Sequence, residues 1–166
     1  MAQARERRLI RTVHSVKFEI AYDVTIDRPV DEVFPVLALA DDLERVLRLS
    51  PMVRSFRLVS DEPGATPSER AISFEFGEEI LRTEMTIRVQ QYVDLEQRRV
   101  DYWSHTRNGV PVGVHKVRTC EAVGDATKVS EVVHGEAPFG VHLFAKFTAR
   151  RAHIEHMDAY RTLFES

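Results

Sequence analysis

The chain has 166 residues, 43% hydrophobic and 30% charged, a composition that suits one globular domain and excludes disordered or fibrous chains. The formal net charge of −3 speaks against a general nucleic-acid binder, which would carry a basic excess. No apolar run approaches the roughly 18–20 residues of a membrane span.

The opening segment, MAQARERRLIRTVH (1–14), is basic and lacks the apolar stretch of a secretory signal. It is expected to be a solvated leader to a single domain over residues 15–166. Strict alternation follows in VKFEIAYDVTI, with Val16, Phe18, Ile20, Tyr22, Val24 and Ile26 on one face, which predicts a half-buried strand. From Asp27 the spacing turns helical, through Val33, Val36 and Leu37 and then Leu43, Val46 and Leu47, so two short helices are expected before Pro51. Period two then returns, predicting strands over 53–60, 69–77, 80–93, 98–106, 112–122 and 127–135. Phe74 and Phe76, then Met85, Ile87 and Val89, supply their apolar faces. That alternation turns Arg88 outward. APFG (137–140) breaks the pattern, and 141–165 reads as a long helix with Leu143, Phe147, Ile154, Met157, Tyr160 and Phe164 near one side. Cys120 is the single cysteine, which leaves no intrachain disulfide and makes the cytoplasm the default compartment.

The most informative stretch is KVRTCEAVGDATKVSEVV (116–133). A turn over Val123–Ala126 would oppose Cys120 to Val129, Arg118 to Glu131 and Lys116 to Val133, all on one face. Glu121 with Lys128, Thr119 with Ser130 and His115 with His134 would share the other, which looks like a solvated surface. Arg118 and Glu131 would then point inward, where two ions in a dry core cost several kcal/mol each. A partly wet cavity would make them tolerable. The alternative is an ion pair at a sheet edge or on the outer face, worth about 1 kcal/mol or less. A one-residue slip in register would invert the faces.

In VDYWSHT (100–106), Tyr102 could act as an acid and Trp103 as a stacking wall. His142, at the start of the long helix, could shuttle protons near neutral pH. His153 and His156 are three apart, yet no HExxH or paired cysteines accompany them, so a solvated helix face is expected and no metal or other cofactor. P-loop, GxGxxG, GxSxG and CxxC motifs are absent from the sequence.

Strand runs with helices at their ends indicate an α+β domain, a curved antiparallel sheet of about seven strands wrapped around a long C-terminal helix. The order of elements, with VTIDRPVDEVFPVL, EAVGDATKVSEVV and APFGVHLF, resembles the START-like (SRPBCC, birch-allergen-like) helix-grip superfamily. Within it the chain is similar to the polyketide cyclase and aromatase branch. The resemblance implies a cavity between sheet and long helix that takes a polyketide or other hydrophobic small molecule, with natural-product biosynthesis as the setting. It places Arg118, Glu131 and Arg88 at cavity positions, with Arg118 polarising a carbonyl or holding an enolate and Glu131 moving protons. Phe74, Phe76, Met85, Tyr102, Trp103, His142 and Phe147 would line the ligand. The chain departs from the branch in having no tryptophan in ALADDLERVL and in carrying Glu84 and Thr86 at aromatic positions. A non-catalytic carrier or sequestering protein is the alternative, an assembly domain a third, and a homodimer is left open.

Overall fold

The computed structural model describes residues 14–80, 82–109 and 111–165. Most of the expected leader therefore lies outside the described residues. In chain order the elements are β1 (Ser15–Ile26), α1 (Val30–Ala38), α2 (Ala40–Leu47), β2 (Val53–Pro63), β3 (Glu69–Ile80), β4 (Thr83–Asp94), β5 (Arg99–Thr106), β6 (Gly113–Val123), β7 (Ala126–Pro138) and α3 (His142–Ala159). A 3₁₀ turn, Tyr160–Phe164, closes the chain. No helix among the described residues is long and apolar enough to cross a membrane.

The strands form one antiparallel seven-stranded sheet in the order β1-β7-β6-β5-β4-β3-β2. Strands β2 to β7 follow one another as hairpins, and β1 pairs with β7, so the first and last strands lie side by side. Register shifts in β2 at Val53/Ser55 and Leu58/Ser60 bend that edge. The β6–β7 hairpin pairs Arg118 with Glu131, Cys120 with Val129 and Lys116 with Val133, the register the alternation predicts. Its two-residue turn is closed by Gly124 at φ +60°, a conformation that costs glycine nothing.

The inner face carries Ile20, Val24, Ile26, Ile72, Phe74, Val89, Val93, Val100 and Val129, all buried, and α1 covers it with Val33, Phe34 and Leu37. The last carbonyls of a helix lack intrahelical donors, and here interior side chains supply them. Gln91 Nε2 donates to Ala38 O at 2.7 Å, Arg118 Nη1 donates to Leu37 O, and His156 Nε2 meets Val46 O at 2.8 Å.

The final helix departs from its sequence pattern. Met157 and Tyr160 are fully buried, but Leu143 and Phe147 are 58% and 69% exposed. Only the C-terminal half docks closely, and the first turns stand away from the core.

Candidate functional site

Arg118 and Glu131 face inward and are 5% and 1% exposed. Arg118 Nε donates to Glu131 Oε1 at 2.5 Å, Nη2 to the Tyr160 hydroxyl at 2.6 Å, and Nη1 to the Leu37 carbonyl. The Tyr160 hydroxyl donates in turn to Glu131 Oε1 at 2.9 Å. All three guanidinium nitrogens are thus engaged by β7, α1 and the terminal turn. Burial alone would raise the Glu131 carboxyl pKa, but the charges of Arg118 and Lys116 prevail and hold it well below the usual range.

Glu131 Oε2 is different. Lys116 Nζ lies 3.6 Å away and His153 Nδ1 3.5 Å, and neither closes a hydrogen bond. Oε2 and His153 Nε2 are buried without a hydrogen-bond partner among the described residues. The Lys116 side chain is 15% exposed, with Nζ 4.5 Å from the centre of the Tyr102 ring. Burial pushes its amine down to about 8 against the pull of Glu131. Burial likewise pushes the imidazoles of His153 and His156 down to about 4, so both are neutral near pH 7, and it raises the Tyr102 phenol. The sheet and α3 together therefore enclose a carboxylate, a perturbed amine, a neutral imidazole and a phenol.

The expected solvated face of His153 and His156 is corrected: His153 turns toward Glu131, and His156 packs edge-on against Tyr160 with ring centres 5.1 Å apart. Beside them, an open groove of about 520 Å³ runs between the α2–β2 connection and α3, lined by Leu49, Met52, Phe144, Phe147, Ala152 and His156. His156 belongs to both the groove and the buried network.

The other expected site residues divide by face. Phe74, Phe76, Met85 and Tyr102 are buried on the inner face, with Phe74 6.1 Å from Tyr102 and 6.3 Å from Phe76 between ring centres. Phe147 lines the groove. Two residues are corrected as cavity-lining groups. Trp103 is 51% exposed on the outer face, stacked on His115 with centroids 3.8 Å apart. Arg88 also points outward, where it joins Arg57 and Arg107 around Glu75, as the alternation of β4 requires. His142 lies against Phe139 at the entry to α3, 5.5 Å between ring centres, and not against the buried cluster's Glu131. Lys116, His153 and Tyr160 were missed as site residues. For Lys116 the signal was present, since it shares parity with Arg118 and Cys120 on β6.

By sequence, no family model and no curated protein matches the chain. By structure, many solved chains do. One is the Zhui aromatase/cyclase from a Streptomyces species, at TM-score 0.67 and 12% identity over 89% of this chain and 93% of that one. Another is norcoclaurine synthase from Thalictrum flavum, in complex with dopamine and hydroxybenzaldehyde, at 0.64 and 15% over 98% and 95%. A third is a START superfamily protein from Mycobacterium smegmatis, at 0.62 and 12% over 87% and 98%. The chain has the START-like helix-grip fold.

Proposed function

We propose that the protein binds a hydrophobic, carbonyl-bearing small molecule of polyketide type between α3 and the inner face of the sheet, and promotes its aldol-type closure and dehydration. The observation that carries this reading is the buried acid–base cluster of Lys116, Glu131, His153 and Tyr102, linked through Tyr160 and His156 to a groove that Phe144 and Phe147 help to line. A groove of this size suits a small ligand, and a purely structural interior rarely leaves a carboxylate oxygen and an imidazole nitrogen without hydrogen bonds, as Glu131 Oε2 and His153 Nε2 are among the described residues. A solved neighbour of the same fold named aromatase/cyclase supports the proposed chemistry, and one holding hydroxybenzaldehyde supports a carbonyl-bearing ligand.

In this reading Lys116 Nζ meets the ligand carbonyl, and neutral His153 accepts the proton from the carbon beside it. The Tyr102 phenol stays protonated and can donate to the oxygen that develops charge. Arg118, its nitrogens all engaged, is a positioning residue that fixes the Glu131 carboxylate. Phe144 and Phe147 guide the apolar body of the ligand.

A non-catalytic carrier is the second reading, favoured by that engagement of Arg118, which leaves the strongest cation away from the ligand. Turnover of a linear poly-β-ketone thioester mimic separates the two, assayed together with ligand-induced thermal shift. Wild type is expected to cyclise the mimic, and Lys116→Met and His153→Gln to lose about 100-fold in rate while keeping the shift. A shift without turnover in wild type selects the carrier. No shift with any flat aromatic ketone or ketide overturns both.

A further inference from the structure

We propose that Lys116 captures its ligand covalently, its Nζ condensing with an aldehyde or ketone to form an imine beside Glu131. The inference rests on the reading above for the ligand's approach, and goes beyond it in making the amine a nucleophile.

The argument begins with charge balance. Glu131 is already neutralised by Arg118 through a 2.5 Å contact and is further hydrogen-bonded by Tyr160. A protonated Lys116 is then a second buried cation serving a single carboxylate, 3.6 Å from it and without a hydrogen bond. Among the described residues, the groups around Nζ are Tyr102 from β5, Glu131 from β7 and Arg118 from its own strand, with His153 from α3 on the same carboxylate oxygen of Glu131. Among these, only Glu131 favours the ammonium through its charge. Burial outweighs it, which leaves the amine far readier to lose its proton than an ordinary lysine. A buried amine with a free lone pair is a nucleophile toward carbonyl carbon.

The other lysines do not share this setting. Lys17 and Lys146 are exposed, and Lys128 pairs with Asp23 at 3.0 Å on the outer face.

The step balances. The Nζ lone pair forms the C–N bond as the carbonyl π pair moves to oxygen. The two amine protons then leave with that oxygen as water, and the C=N bond forms. When the imine nitrogen takes a proton from solvent, its positive charge sits where the ammonium charge was, opposite Glu131 Oε2. The buried carboxylate therefore keeps its counter-charge throughout. The Tyr102 ring and neighbouring apolar residues limit the water that would reverse the reaction.

The test uses the whole protein, naphthaldehyde and cyanoborohydride near pH 7, with peptide mapping to locate the reduced adduct. Naphthalenemethanol, which has the same ring but no carbonyl, serves as a binding control by thermal shift. Lys116 is expected to label at least about tenfold faster than Lys17, Lys128 or Lys146, with any adduct at the chain terminus, whose ordinary value is also near 8, mapped apart from them. Lys116→Arg, which keeps the charge, is expected to lose that adduct and retain the shift with naphthalenemethanol. Labelling spread evenly over the lysines overturns the inference. A shift with naphthalenemethanol but no adduct at Lys116 overturns the inference and leaves ligand binding standing. Neither shift nor adduct overturns both.

Discussion

Arg118 is buried at a junction of four segments, its own strand β6, β7, the end of α1 and the terminal turn. Its charge also sits at the C-terminal end of α1, where a cation is favoured. Replacing a buried pair with apolar groups is often near neutral, whereas removing one partner costs about 3–5 kcal/mol. Glu131→Leu leaves both Arg118 and Lys116 without their anion and is expected to fall in that range by urea unfolding. Adding Arg118→Met is expected to recover part of the loss, because no uncompensated guanidinium remains. Additive losses in the double variant would show that the two side chains are not one unit. The inward direction of both charges was legible in the sequence as one of two readings, because hairpin parity places them with Cys120 and Val129 once the register of the turn is given. Their partners were not. Leu37 and Tyr160 are 81 and 42 residues away, and no local period links positions so distant.

At the level of elements, pairing and docking followed different signals. Strand alternation located every strand, and the β1–β7 closure rests on a contact that alternation does not specify. Phe18 lies directly opposite Gly135, and a Cβ built on Gly135 would sit 2.2 Å from the Phe18 ring. The missing side chain lets the ring lie across the neighbouring strand. Gly135→Ala forces that ring to move and is expected to cost about 1–3 kcal/mol. In a Phe18→Ala background the penalty is expected to shrink, a coupling that a double-mutant cycle by chemical denaturation measures directly. An unchanged penalty would place the cause in the backbone. For α3 the helical period was right and its implication was not. Periodicity shows which residues share a face but not what that face meets, so Leu143 and Phe147 read as core although they lie beyond the docked half.

Across the whole molecule, the order of elements was legible because each is short, regular and joined to its neighbour in sequence. The acid–base cluster was harder to see, since it draws on β5, β6, β7 and α3 at once, and His153 on its own looks like a surface residue. That cluster has a consequence for stability. His153 and His156 have ordinary values of 6.5 and folded values of about 4. Between these limits the unfolded chain binds more protons, so folding stability falls as pH drops from 6.5 toward 4. Glu131 adds to the loss below its ordinary value of 4.5, because its folded pKa is depressed. Lys116 acts in the same direction at higher pH. Its folded value of about 8 lies below its ordinary 10.5, so its protonation penalises the fold below about 8 and is relieved above. The buried thiol of Cys120 and the buried phenols of Tyr102 and Tyr160 oppose this at alkaline pH, being raised in the fold. The melting temperature is therefore expected to climb from pH 4 to about 6.5, to level off, and to rise again above about pH 8 as Lys116 sheds its proton in the fold, until Cys120 and the tyrosines oppose it. His153→Gln combined with His156→Gln is expected to flatten the climb between pH 4 and 6.5 while leaving the slope near pH 8 in place, and Lys116→Met to remove the latter. Calorimetric melts at half-unit pH steps check this, and a wild-type profile that is flat between pH 7 and 5 would mean that the two imidazoles are solvated in the folded protein.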